Sequence, residues 1–186
     1  MTTQQRIIDE IDPSLKFKLE LIVPKFNFVY VVKKGSGIYV LKGPEDAKDN
    51  KYLKVDIKAL RRTREIKEVP NLIDVYYKQR KPVALLREYV DGETIANLIK
   101  TGENLRSDLE NKLKQTITLI HSKGIYFGAL SEEDIIISPD RLKAHIIDFD
   151  YGGFFQRENK EYFQKECRAD YENLKEIFRK VKQKQI

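Results

Sequence analysis

The chain has 186 residues, of which 41% are apolar and 34% are charged, and its net charge is +6. This length suffices for one substantial core or for two small lobes that share a cleft. The composition excludes a wholly disordered chain, and we expect no transmembrane segment because no apolar run is long enough to span a bilayer. The single cysteine, Cys167, excludes an internal disulfide framework and favours a reducing, cytoplasmic setting.

The first half of the chain predicts an antiparallel sheet with one helix. Alternating or β-branched segments predict strands at Phe17–Val23, Phe28–Val32, Ile38–Lys42, Leu72–Tyr77 and Pro82–Tyr89. A helical pattern covers Tyr52–Val69 and ends at Pro70, which cannot continue a helix. The sheet is therefore expected to precede the helix-rich part of the chain.

The second half predicts mainly helices. Helical patterns cover Thr94–Lys100, Leu105–Ser122 and Asp170–Val181, with short apolar strands at Ile135–Ile137 and Ala144–Ile147. Strands first and helices later are typical of a two-lobed α+β protein. We place the boundary near Asp91, so that residues 1–90 form a sheet lobe and residues 91–186 form a helical lobe.

The most informative block of the sequence runs from Leu119 to Asp150. It contains Leu-Ile-His-Ser-Lys-Gly-Ile, then Phe127-Gly-Ala-Leu130, then Asp134 before an apolar strand, and finally Ile146-Ile-Asp-Phe-Asp150. This order resembles the catalytic core of the protein-kinase-like superfamily, where a His-Gly-Asp-Leu or His-Arg-Asp-Leu loop precedes an Asn and then Asp-Phe-Gly. The resemblance covers nearly all of the chain. The short length favours minimal members, namely Bud32- or RIO-like kinases and lipopolysaccharide-type kinases.

The resemblance implies a two-lobed kinase-like fold, with a small antiparallel-sheet N-lobe and a truncated, mostly helical C-lobe. It also implies ATP and Mg²⁺ as ligands. Lys42, which closes an apolar strand, is similar to the lysine that contacts the nucleotide phosphates. Glu65 is similar to the helix glutamate that holds this lysine, with Glu68 as the competing residue. The backbone between Glu88 and Val90 is expected to meet the adenine edge.

Two carboxylates are implied as metal ligands. Asp148 stands at the first position of Asp-Phe-Asp, and Asp134 stands where the family has its Asn. Carboxylate oxygens together with phosphate oxygens suit Mg²⁺, which prefers hard oxygen donors. The alternative is structural: Asp134 caps a turn and Asp148 ends a strand. Asp170 resembles the aspartate that opens the helix beneath the catalytic loop.

Two departures from the family weigh against catalysis. Ala129 stands at the position of the catalytic aspartate, and its methyl group has no acceptor for a substrate proton. The segment Val23–Asn27 holds no glycine where the family has a phosphate-binding loop, so backbone amides cannot closely wrap a phosphate there. Arg87 also occupies a position where an apolar residue usually lines the adenine pocket.

Three hypotheses follow from these observations. The leading one is a degenerate kinase-fold protein, a pseudokinase, that binds nucleotide weakly or not at all and acts through a protein partner. The second is an active atypical ATP-dependent kinase that phosphorylates protein or a sugar of the lipopolysaccharide type. The third is a basic module that binds nucleic acid or an anionic membrane surface through Lys54–Lys67 and the lysines of Arg179–Lys184. An ordinary solvated lysine face is the competing explanation for such charge runs.

Overall fold

The computed structural model describes residues 3–20, 27–44 and 50–184. The chain divides into two compact units, an N-terminal unit of residues 1–61 with 71–89 and a C-terminal unit of residues 62–70 with 90–186. The described part contains five α-helices and a five-stranded antiparallel sheet, which confirms the prediction of an α+β protein. No helix in these ranges combines the length and the apolar character needed to cross a bilayer.

The N-terminal unit is built on the five-stranded sheet. Its strands are β1 (Lys16–Glu20), β2 (Asn27–Lys34), β3 (Gly37–Pro44), β4 (Leu72–Lys78) and β5 (Lys81–Glu88). They lie in the order β1-β2-β3-β5-β4, and each neighbouring pair is antiparallel. Two-residue alternation along a strand sends successive side chains to opposite faces, so each face needs its own apolar cover.

A helix covers each face of this sheet. On one face, Ile8 of α1 (Thr3–Ile11) packs into a core with Tyr30, Leu41 and Leu86. On the other face, α2 (Asn50–Thr63) buries its apolar side, including Leu53. Its Asp56 contacts Lys42, the residue after Leu41 in β3. Both faces of β3 are therefore buried, and Lys42 points into the side that α2 covers.

The C-terminal unit combines three helices with two small sheets. The helices are α3 (Ile95–Thr101), α4 (Leu109–Ser122) and α5 (Lys160–Gln183). A three-stranded sheet has the order β6-β8-β9, where β6 is Glu93–Thr94, β8 is Ile135–Ile137 and β9 is Ala144–Ile146. A second sheet pairs β7 (Ile125–Tyr126) with β10 (Gly153–Phe154). The helix α4 packs against α5, and the apolar stripes of both helices form the core of the unit.

Two helix predictions need correction, and one helix was not predicted. The helix α2 ends at Thr63 and not at Val69, because Ile66 and Val69 close successive three-residue turns, with Ile66 N donating to Thr63 O and Val69 N to Ile66 O. The helix α5 begins at Lys160 and runs through Asp170, so Asp170 lies inside a helix that it was predicted to open. The helix α1 was not predicted at all, and only its Ile8 is fully buried.

Candidate functional site

A buried ion pair joins the sheet of the N-terminal unit to α2. The Nζ atom of Lys42 lies 3.0 Å from Oδ2 of Asp56, and the side chains are 2% and 0% exposed. Lys42 is set in β3 opposite Leu85 of β5 and Val29 of β2, both of which are buried. Two opposite charges in such surroundings are retained because each compensates the other, whereas either one alone would be an uncompensated buried charge.

Asp56 is the carboxylate that holds Lys42, and the predicted partner Glu65 is not. Glu65 belongs to the C-terminal unit, its side chain is 68% exposed, and its Oε2 pairs with Lys123 at 3.2 Å. The competing candidate, Glu68, contributes its backbone carbonyl to β9 by accepting from Ile146 N. Because α2 ends at Thr63, neither glutamate is on the helix that faces β3.

The predicted adenine-binding segment lies at the end of β5. The Glu88 backbone N–H donates to Asn71 O at 3.0 Å, and the Glu88 carboxylate accepts from Asn71 N and Nδ2. Val90, the first residue of the second stretch of the C-terminal unit, is half-buried. Arg87 is 5% exposed although it carries a guanidinium, whereas the resemblance implies a medium-sized apolar residue at this position.

In the C-terminal unit, buried Asp170 fixes the loop that holds Ala129. Its Oδ2 accepts from the Phe127 backbone N–H at 3.0 Å and lies 2.9 Å from His121 Nε2. The next residue, Gly128, has φ of +75°, and a Cβ there would collide with the Tyr151 carbonyl. The loop therefore has a defined course, and it presents Ala129 as an exposed methyl group.

The segment Asp148-Phe-Asp150 packs beside this loop. Phe149 is 1% exposed, and its ring stacks on that of Phe127 with centroids 5.2 Å apart. Asp148 Oδ1 accepts from the Asp150 backbone N–H at 2.9 Å. Asp148 and Asp150 each offer a carboxylate oxygen, and these oxygens lie within 4.8 Å of one another. Two half-buried carboxylates this close are able to hold a hard cation such as Mg²⁺.

Asp134 was predicted as a metal ligand, but its carboxylate caps a turn. Its Oδ2 accepts from both Ser131 N and Ser131 Oγ at 2.8 Å, the arrangement of a capped turn. Its backbone carbonyl accepts from Ile147 N. This bond ties the start of β8 to Ile147, which directly precedes Asp148. Asp150 is therefore the carboxylate that the structure brings to Asp148, and Asp134 shapes the turn that precedes β8.

The single cysteine and the two histidines have surroundings that indicate structural roles. Burial, with added repulsion from Asp170 and Glu166, raises the pKa of the Cys167 thiol to about 11, so it stays protonated at neutral pH. His121 is committed to Asp170, and His145 lies in β9 opposite Ile136. The predicted loss of a phosphate-binding loop at Val23–Asn27 falls largely outside the described residues.

Asp56 and Asp150 are the functional candidates that the sequence interpretation did not assign. The signal for Asp56 is its spacing from Leu53 and Leu60, which puts this sole acidic residue of α2 on the apolar face. No protein-family model matches the chain, and no curated protein matches it either.

Proposed function

We propose that this protein is a degenerate kinase-fold protein that acts through protein contacts. The observation that carries the proposal is the loop around Ala129. Asp170 and Gly128 fix its course, yet the residue at its tip has no group that accepts a proton or orients a hydroxyl. Loss of one positioned acid or base typically lowers an enzymatic rate by about 10²–10⁴-fold. The loop is thus kept as a structural feature, and its side-chain chemistry is lost.

Under this proposal, nucleotide binding is weak or absent. Lys42 is the residue that would meet phosphate, and its ammonium is buried against Asp56. Asp148 and Asp150 would hold Mg²⁺, which neutralises phosphate charge in phosphoryl transfer. Arg87 is a buried guanidinium at a position where the resemblance implies an apolar residue beside the adenine. The charged groups are present in each unit, but the side chain of Lys42 is only 2% exposed, so its ammonium is not open to a ligand from solvent.

Exposed aromatic rings support the protein-contact part of the proposal. Tyr151, Phe155 and Tyr162 of the C-terminal unit are 58%, 42% and 50% exposed. Tyr151 directly borders the loop, since its carbonyl is the group that a Cβ at Gly128 would meet. Aromatic residues are enriched at protein interfaces because they contribute large contact areas at low entropic cost. The surface next to Ala129 is therefore where we expect a partner to bind.

A second candidate function is an active atypical kinase. The pairs Lys42–Asp56 and Asp148–Asp150 favour it, because a lysine held by a helix carboxylate and a pair of metal-binding carboxylates are what Mg·ATP binding requires. The acceptor would be a protein or a sugar of the lipopolysaccharide type. This candidate needs another group to replace the missing base at position 129.

Thermal unfolding with and without Mg·ATP separates the two candidates. A ligand at about 100 times its Kd adds about 2.7 kcal/mol of stability, which corresponds to a rise of several degrees in Tm. We expect little or no rise for the wild type at millimolar nucleotide. A magnesium-dependent rise that Asp148→Ala abolishes would favour the active kinase. Leu119→Ala, at a 51% exposed position of α4, serves as the control substitution.

A further inference from the structure

The outward side of α2 carries only positive charge. Between Asn50 and Arg61, every exposed residue is a lysine or an arginine: Lys51, Lys54, Lys58 and Arg61. At about 100° per residue these four fall within an arc of roughly 80°, and they extend over about 15 Å of the helix. The only acidic residue of α2, Asp56, is buried on the other side against Lys42. No carboxylate of this helix offsets the charge of its outer face.

The hairpin between β4 and β5 extends this charged surface. Its tip carries Lys78, Arg80 and Lys81, all exposed. Two contacts tie the hairpin to α2: Arg61 Nη2 donates to the Tyr77 hydroxyl at 3.3 Å, and Asn50 Nδ2 donates to Pro82 O at 2.6 Å. The ring of Tyr77 is 55% exposed, its hydroxyl meets Arg61 of α2, and Tyr77 directly precedes Lys78 of the hairpin. We call α2 and this hairpin tip, with Tyr77, the basic surface.

The backbone at the hairpin tip adopts a conformation that is costly for residues with side chains, and one of these residues is Arg80. Gln79 and Arg80 form the two-residue turn with φ of +50° and +65°. Such turns strongly favour Asn-Gly or Gly-Gly, because a side chain makes a positive φ costly. A local cost of this kind often marks a residue retained for binding. Here one of the two residues at positive φ is an arginine, Arg80.

We propose that the basic surface binds single-stranded nucleic acid. Cations spaced along 15 Å or so match a phosphate backbone, and an exposed ring beside them offers a platform on which a base stacks. An anionic membrane is disfavoured as the ligand. A membrane-surface helix inserts its apolar face into the lipid, whereas the apolar face of α2 is buried in the core of the unit.

The cations of α5 provide a contrast within the same chain. Lys175 pairs with Glu172, Arg179 with Glu176, and Lys182 with Glu110. On α5 the cations alternate with carboxylates of the same helix, whereas the outer face of α2 has no carboxylate of its own, so α5 attracts polyanions less. The C-terminal cations are therefore not part of the proposed surface, although the sequence grouped them with α2.

The test measures binding of a labelled oligouridylate of about ten nucleotides, with fluorescence anisotropy as the readout across a series of salt concentrations. The basic-surface variant carries Lys51→Gln, Lys54→Gln and Lys58→Gln. The matched control carries Lys175→Gln, Arg179→Gln and Lys182→Gln, which lowers the net charge equally. We expect the first variant to bind about tenfold more weakly, with the salt slope reduced by about 2, and the control to bind like the wild type.

Two single substitutions sharpen the test. Tyr77→Ala should weaken oligouridylate binding about fivefold or more, whereas binding of a duplex, which offers no free base, should not change. Arg80→Gly should relieve the strained turn and raise Tm, yet weaken binding about two- to threefold. Equal loss in both triple variants, or tighter binding to phosphatidylserine vesicles or polyglutamate than to the oligonucleotide, would overturn the proposal. Absence of salt-dependent oligonucleotide binding would overturn it as well.

Discussion

The buried pair in the N-terminal unit and the Ala129 loop in the C-terminal unit differ in the side-chain groups that they contain. The Nζ atom of Lys42 and Oδ2 of Asp56 lie 3.0 Å apart, and both side chains are almost completely shielded from solvent. The Ala129 loop retains its backbone anchor, Asp170, but presents a methyl group at its tip. A buried charge pair is costly to lose by single substitutions, whereas an exposed side chain is lost at no structural cost. Substitutions at the buried pair should therefore affect stability far more than substitutions at the exposed Ala129.

The largest expected effect comes from breaking the buried pair. Asp56→Ala or Lys42→Ala should each lower the free energy of unfolding by about 3–5 kcal/mol, because the remaining charge stays buried without compensation. Chemical denaturation measures this directly. The double variant Lys42→Met with Asp56→Asn should recover at least half of the loss.

Glu65→Ala is the matched control for that experiment. Its exposed pair with Lys123 should contribute about 0–1 kcal/mol. If Glu65→Ala were as destabilising as Asp56→Ala, Glu65 would have a role in the fold that its exposure does not indicate. If single and double variants at Lys42 and Asp56 lost equal stability, the two side chains would not act as a pair.

The next largest effect concerns the anchor of the Ala129 loop. Asp170→Ala should lower the free energy of unfolding by about 2–4 kcal/mol, since it leaves the Phe127 N–H and the His121 ring without their acceptor. Asp170→Asn should cost less because its amide oxygen still accepts. Glu172→Ala, at an exposed pair on the same helix, should change stability by less than about 0.5 kcal/mol. Equal losses for the three variants would contradict the anchoring role.

The smallest effect depends on pH and concerns Asp12, the residue that follows α1. Burial alone would raise the pKa of Asp12, but hydrogen bonds from Ser14, Lys34 and Tyr76 outweigh burial and hold that pKa well below its ordinary value. A depressed carboxyl pKa adds stability above the unfolded pKa of about 4, and this contribution is lost as the pH falls towards the folded value. Asp12→Asn should therefore cost about 1–2 kcal/mol at pH 7.

The same comparison at low pH tests the assignment. The difference in unfolding free energy between wild type and Asp12→Asn should shrink steadily below about pH 4. Asp9→Asn, in the neighbouring helix α1, is the control for removing a carboxylate from this part of the chain. A gap for Asp12→Asn that stays constant down to pH 2 would show that the carboxylate charge contributes nothing.

The sheet was predictable because its signals are local. Alternating and β-branched residues between glycine-containing turns predict β2 and β3 within a few residues of their observed bounds. The error in α2 arose because Thr63, Ile66 and Val69 are buried at a spacing of three, close enough to helical spacing to extend the predicted helix. The first ten residues of α5 were missed because none of them is fully buried, so no apolar stripe marks them.

The site was less predictable than the fold. Lys42 and Asp148 were assigned from the order of motifs along the chain, and the structure places each beside a carboxylate. The identity of that carboxylate could not be read from order alone. Asp56 meets Lys42 because α2 packs against β3 in one register, and Asp150 meets Asp148 because the chain turns there, with Gly152 N donating to Phe149 O. The first contact depends on tertiary packing, and the second depends on a local turn that the order of motifs does not reveal.

The most direct test of the central claim is an assay of phosphoryl transfer. Purified wild-type protein would be incubated with Mg·ATP and candidate protein and lipopolysaccharide-type acceptors, beside Asp148→Ala and Ala129→Asp variants. The account predicts no transfer by the wild type above the level of Asp148→Ala. Transfer by the wild type that Asp148→Ala abolishes would contradict the account and establish an active kinase.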